Sequence, residues 1–281
     1  MSIELRYDIV KVRVMKTLAY LFLLFYALTC LGPFIWSLMS AFKTNDEILV
    51  YPFRLPRVLQ ARNFSQAWTQ GRFALYFKNT VIYAVFATGI LVMIAPMASY
   101  VIARVLRSNF LYAYFTLGIM IPIHTILLPS LLLTKTFHLI NTRLSLILLY
   151  IAFRLSIAIF ILVGFMKAIP GEFEEVAFID GASRTRTFFQ VIFPLARPAI
   201  ATVGLLATIE NWNAYLMPLI IITAKPLKVI TQGLQELKSL YWTDYGLMSA
   251  GLVISFIPMV LIYILFQEQV IAGLTAGGIK G

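Results

Sequence analysis

The residues able to do chemistry in this chain fall in two places. Glu172, Glu174, Glu175 and Asp180 crowd into one short polar stretch that ends on Gly181. Arg154 and Glu210 instead stand alone inside long apolar runs, with Asn211 and Asn213 beside the second and His124 in a third run. Carboxylates gathered at a helix start complement the positive end of its dipole. A lone charge in an apolar run suits an internal ion pair or a polar pathway. Bond-making chemistry has no comparable support. With 2 histidines and 1 cysteine, Cys30, the chain can build neither a metal cluster nor a disulfide framework. It shows no Ser/His/Asp arrangement. Gly277-Gly-Ile-Lys280 is glycine-rich but lacks the spacing and the Gly-Lys-Ser/Thr of a phosphate loop. Catalytic, cofactor-binding and metal-ligating residues are therefore expected to be absent, and any nucleotide chemistry belongs to another chain.

The elements that position these residues are apolar. The sequence is 60% hydrophobic and 12% charged, against about 25% charged in a soluble domain, and its mean hydropathy is +0.87. The net charge of +11 lies in short connections between apolar runs. It fits interfacial anchors and lipid headgroup contacts rather than a nucleic-acid surface.

A hydrocarbon core of about 30 Å needs roughly 20 apolar residues of helix. Four runs meet this without a charge: Thr17–Phe42, Asn79–Ala103, Ser108–Thr134 and Tyr245–Gln267. Leu144–Met166 carries Arg154, and Pro198–Ala224 carries Glu210. An all-α membrane protein with six transmembrane helices is predicted, because lipid leaves no water to satisfy other backbone. The runs lack the alternation of a barrel. Thr17–Phe42 is longer than the roughly 7–15 residues of a signal-peptide core, and no small-x-small site follows it. Pro33, Pro96, Pro122, Pro129, Pro218 and Pro258 are expected to kink the spans. Lys and Arg divide evenly between the two sets of connections, so charge bias gives no orientation.

Between the fourth and fifth runs lies a longer connection. Pro170 is placed for a helix start, and Glu172, Glu174 and Glu175 complement the positive end of its dipole. Phe173, Val176 and Ala177 make a narrow apolar face. Asp180 is expected to cap a second helix, with Gly181 permitting the bend and Pro194 leading into the next span. Anionic headgroups would repel three nearby glutamates, so a groove on another protein suits this face better than lipid.

This stretch resembles the cytoplasmic loop of bacterial ABC importer permeases, written EAA, three residues, G, nine residues, I, one residue, LP. Here it reads Glu175-Val176-Ala177, Gly181, Val191 and Phe193-Pro194, with spacing complete and the first Ala, the Ile and the Leu replaced. The resemblance covers roughly residues 36 to 281 and looks like the carbohydrate-uptake branch related to the maltose permease. Ser40-Ala-Phe-Lys-Thr44, Met120-Ile-Pro122, Asn141-Thr142, Trp212-Asn213-Ala-Tyr215 and the tail Gly273–Gly281 support it.

The resemblance implies the type I importer fold, with one permease domain over 1–281. Its core would run roughly over 72–270, with an N-terminal helix at 17–42 and an external loop at 43–78. It also implies both termini in the cytoplasm of a bacterial inner membrane, and a coupling helix seated on an ATPase. Glu172, Glu174, Glu175, Ala177, Asp180, Gly181 and Phe188 would form that coupling element. Implied partners are a second homologous permease, two ATPase subunits that bind ATP and Mg²⁺, and an extracytoplasmic solute-binding protein. The 43–78 loop would meet the last of these.

Arg154 and Glu210 either neutralise each other or line a solute pathway with His124, Asn211 and Asn213. By spacing, Glu210, Asn213 and Met217 share one helix face. Related permeases commonly carry Gly, Pro and Gln where this chain has Arg154, Ser156 and His124, and a basic residue there suggests an acidic sugar or a phosphorylated polyol. An ABC importer of a non-sugar solute is one alternative. An ion-coupled secondary transporter is another, but Glu210 alone is thin support for ion coupling. A membrane enzyme would need a catalytic cluster that the sequence does not show.

Overall fold

A computed structural model describes the backbone of residues 3–237 and 243–278 and, within these, the side chains of 12–237 and 243–268. Residues 279–281, and with them Lys280 at the end of the glycine-rich tail, lie outside the described residues. The described elements are helices. They fall into two units, Met1–Gly71 with Leu237–Ile254, and Arg72–Glu236 with Ser255–Gly281.

The first unit holds α1 (Ile3–Ser40), α2 (Asn45–Val50) and α3 (Arg62–Thr69). In the apolar stretch of α1, Leu18, Phe22 and Phe25 are 60%, 68% and 67% exposed. A helix apolar on every side needs a solvent other than water. The Ser40–Thr44 segment is pinned where α1 ends. Lys43 is buried, and its ammonium donates to the carbonyls of Tyr51 at 3.2 Å and Pro52 at 2.9 Å. The Asn63 amide donates to the carbonyls of Ala41 and Lys43, both at 3.0 Å. The Thr44 hydroxyl accepts from the Glu47 N–H and starts α2.

The second unit begins with α4 (Phe73–Tyr100), which continues through a wider π-helical turn to Val105. It is followed by α5 (Asn109–Leu117), α6 (Ile123–Thr136), α7 (Arg143–Ala168), α8 (Glu172–Ile179) and α9 (Arg184–Thr187). Another π-helical turn, Phe188–Ile192, leads into α10 (Phe193–Leu195), then α11 (Arg197–Trp212), α12 (Leu216–Ile221) and α13 (Ile230–Glu236). The last helix, α14 (Tyr245–Gly278), starts in the first unit and ends in the second.

The core of the second unit lies where α4 packs along α7 and α11. Small side chains allow the close approach: Ala84, Ala87 and Ala95 on α4, Ala158 on α7, and Ala199 and Ala207 on α11 are all buried. In lipid, tight packing of small residues substitutes for the missing hydrophobic drive between helices. At Gly204 an added Cβ would come within 3.2 Å of the Val92 side chain, so a larger residue at this α4–α11 contact requires Val92 to shift by a few tenths of an ångström.

Among the described residues, four helices are long and apolar enough to cross a membrane: Val12–Ser40, Phe73–Val105, Arg143–Ala168 and Tyr245–Glu268. Two bent pairs raise the number to six if each is one span. The predicted straight run Ser108–Thr134 is one of them. Asn109–Met120 and Ile123–Thr136 meet at 101°, with Pro122 in extended conformation at the start of α6. Proline has no N–H to continue the first helix, and the residue before it avoids the helical region. The run Pro198–Ala224 is not one helix either. It breaks over 213–215, and at its other end Arg184–Leu195 meets Arg197–Trp212 at 73°.

Candidate functional site

The acidic connection folds as the sequence suggests in its first half and differently in its second. Glu172, Glu174 and Glu175 occupy the first turn of α8. The helix stops at Gly181, whose φ of 78° lies in the left-handed region. Its N–H donates to the Phe178 carbonyl at 3.0 Å, and the Ala182 N–H donates to the Ala177 carbonyl at 2.9 Å. This Schellman pair closes the helix, and glycine adopts the required φ without a Cβ penalty.

Asp180 does not start the second helix, contrary to expectation. It is the C-terminal cap of α8, and Ser183 caps α9 by accepting from the Arg186 N–H. The left-handed turn occupies the two residues after Asp180, which pushes the next helix start to Ser183.

Glu172, Phe173, Val176, Ala177 and Asp180 line one wall of a groove of about 600 Å³, and Ala182, Arg186, Thr187, Gln190 and Val191 line the other. The apolar surface of α8 is broader than predicted, since Phe178 and Ile179 are also exposed, Ile179 at 84%. Glu175 is exposed and does not line this groove. Two of the expected coupling residues turn inward. Phe188 is buried, its ring 5.2 Å from that of Tyr100 on α4 and against Phe189 and Phe193. Glu174 pairs with Arg104 at 3.6 Å, each side chain only 12% exposed. Arg104 also donates to the Ile169 carbonyl. Sequence reasoning counted Arg104 only as a flanking charge. Its signal was its place in the short turn after the second run, the same side as the acidic loop.

The intramembrane charges meet. Arg154 on α7 forms an ion pair with Glu210 on α11. Two sizeable cavities open beside the pair, besides a small one of about 30 Å³. One of about 480 Å³ is lined by Gly118, Ile123, Phe153, Arg154, Ser156 and Glu210 among others. The other, about 250 Å³, is lined by Tyr150, Phe153, Arg154, Asn213, Tyr215 and Met217 among others. Asn213 reaches its cavity because α11 ends at Trp212. Glu210, Asn213 and Met217 are therefore not one helical face, as their spacing suggested. The break is held from outside the run: the Thr231 hydroxyl donates to the Ala214 carbonyl at 2.7 Å, and the Tyr215 hydroxyl to Gln235 at 2.5 Å.

Asn211 is buried, its amide 3.3 Å from the Thr88 hydroxyl on α4, and lines neither cavity. His124 is exposed in the first turn of α6 and lines neither of them. Among the described residues, no group of three His, Cys, Asp or Glu could hold a metal ion.

Apolar helices of spanning length, an exposed acidic loop and an ion pair beside cavities define a multi-pass membrane protein of the transport class. Residues 92–275 match the family described as the binding-protein-dependent transport system inner membrane component, and the chain belongs to that family. It is 34% identical over 264 residues to the diacetylchitobiose uptake system permease protein NgcG of Streptomyces coelicolor, covering 92% of this chain and 87% of that protein. It is 32% identical over 257 residues to the sulfoquinovosyl glycerol transport system permease protein SmoH of Agrobacterium fabrum, covering 89% of each. Its fold matches a chain of a bacterial ABC transporter involved in the import of the acidic polysaccharide alginate. There the TM-score is 0.78 at 22% identity, over 91% of this chain and 96% of the other.

Proposed function

We propose that this chain is a permease subunit of an ATP-driven importer that carries a carbohydrate across a bacterial inner membrane. It crosses six times, with both termini in the cytoplasm. The carrying observation is α8, an acidic helix closed by a left-handed glycine, with Phe173, Val176, Phe178 and Ile179 exposed. An apolar face of that kind on an otherwise polar connection calls for a protein groove. Helix α8 is the coupling helix, and two ATPase subunits bind the ATP and Mg²⁺ that this chain does not. A second permease and a solute-binding protein complete the assembly, and ATPase closure drives a rigid-body switch between outward- and inward-open states.

The sugar transport named for the relatives supports a carbohydrate as solute. So does the chemistry beside the charge pair. Glu210 neutralises Arg154, so the smaller cavity offers Tyr150, Asn213 and Tyr215 beside a guanidinium whose charge is already paired. A hydroxyl-rich solute matches that set. An acidic sugar would have to draw Arg154 away from Glu210.

The test is ATP-dependent uptake by the complete transporter in proteoliposomes, with Gly181→Asp as the variant. Loss of uptake and of ATPase co-purification is expected. Normal uptake with the ATPase still bound would remove the coupling assignment.

A further inference from the structure

We propose that Arg104 and Glu174 form the joint through which displacement of the acidic loop is passed into the transmembrane helix α4; this rests on α8 being the ATPase-facing element. The pair joins two elements that the sequence separates widely. Arg104 lies in the π-helical turn at the end of α4, and Glu174 in the first turn of α8. Their 3.6 Å contact is shielded, with both side chains 12% exposed. Shielding makes the contact stronger and less sensitive to salt than an exposed pair.

Arg104 grips the loop at a second point. It donates to the carbonyl of Ile169, the residue where α7 ends and the loop begins. A planar guanidinium with several fixed donors can hold a carboxylate and a carbonyl together, which a lysine cannot do in the same geometry. One helical turn earlier, Tyr100 rests on Phe188, after α9. The end of α4 therefore holds both halves of the loop, the first by charge and the second by aromatic contact.

Motion delivered there has somewhere to go. Helix α4 packs along α7 and α11 through buried small residues, and Thr88 meets Asn211 and Thr208 on α11. Glu210, the acid of the charge pair, is the neighbour of Asn211. Glu174 thus acts inside this chain, while the exposed Glu175 is left to face a partner.

The experiment uses the complete transporter in proteoliposomes, with uptake of its solute measured per ATP hydrolysed and ATPase co-purification measured alongside. The variants are Arg104→Gln, Glu174→Gln and the exchange Arg104→Glu with Glu174→Arg; Glu175→Gln is the docking comparison, expected to weaken ATPase co-purification. Both single variants are expected to keep the ATPase bound while uptake per ATP falls about tenfold, and the exchange to recover part of it. Unchanged uptake per ATP in the single variants would overturn the joint. So would loss of ATPase binding in Glu174→Gln alone, which would make Glu174 a docking residue. If Arg104→Gln does not reach the membrane, Arg104→Lys carries the same test, with reduced uptake per ATP expected and normal uptake overturning the joint. Failure of all these variants to insert would make the contact a packing tie and overturn it as well. A wild-type assembly with no ATPase on the loop, and no effect of Glu175→Gln, would instead remove the coupling-loop assignment.

Discussion

Arg154 and Glu210, on separate helices of the core, are ion-paired inside runs long enough to span a membrane. Removing one partner leaves the other unpaired within a spanning run, at about 3 kcal/mol on insertion scales. Arg154→Gln and Glu210→Gln are each expected to lower the amount of chain in the membrane several-fold. The double variant is expected to recover most of it, because a missing pair costs less than a broken one. Quantitative blotting of membrane fractions decides the point. Equal abundance of single and double variants would show that the two charges do not depend on each other.

The same pair makes a prediction about solute charge. Glu210→Gln frees Arg154 to face the cavities it lines. Competition by an acidic oligosaccharide, relative to a neutral one, is expected to rise several-fold in uptake assays on that variant. An unchanged ratio would mean that Arg154 does not meet the solute.

Asn141 has a φ of 57° and fastens the segment after α12. Its carbonyl oxygen accepts from the N–H of Thr223 at 2.7 Å and of Ala224 at 2.8 Å, and its amide donates to the Thr223 hydroxyl at 2.9 Å. Alanine would lose these bonds and keep a strained backbone, costing about 2–3 kcal/mol. Glycine would lose the bonds alone. Thermal unfolding in detergent should therefore rank Asn141→Ala below Asn141→Gly, and equal melting would argue against strain at this position.

Gly233 lies against Tyr76, where an added Cβ would come within 2.5 Å of the ring. Tyr76 is fully buried, and its hydroxyl donates to Glu236 at 2.5 Å, so the ring has little freedom to yield. Gly233→Ala is expected to destabilise by about 1–3 kcal/mol. A melting temperature equal to wild type would show that this contact is looser than described.

Glu236 gives the chain an acid-sensitive contact. Burial alone would raise its pKa, but hydrogen bonds from Lys228 at 2.5 Å and from Tyr76, with the charges of Lys228 and Lys225, outweigh it and hold the carboxyl below its ordinary 4.5. A folded pKa below the unfolded one contributes stability above the unfolded value, and that stability is lost as pH falls through the folded value. Between about pH 5 and 3 the wild type is expected to lose melting temperature more steeply than Glu236→Gln, because only the wild type has a carboxylate to protonate. Parallel curves would remove Glu236 as the source.

Local chemistry was legible in the sequence wherever it depended on neighbours along the chain. Apolar run lengths gave α4 and α7 nearly whole, since a span's length follows from bilayer thickness and rise per residue. The acidic first turn of α8 and its stop at Gly181 were likewise readable, being set by hydrogen bonds within a few residues. The tertiary structure decided what depends on distant segments. The break over 213–215 is held by Thr231 and Gln235, and the 101° angle at Pro122 separates two helices in what read as one run. Arg104 and Glu174 look like an anchor and a docking acid in one dimension, and become partners only when α4 and α7 bring their ends to the same loop. Side-chain periodicity records which face a helix turns inward, and it carries no record of which residue the fold sets opposite.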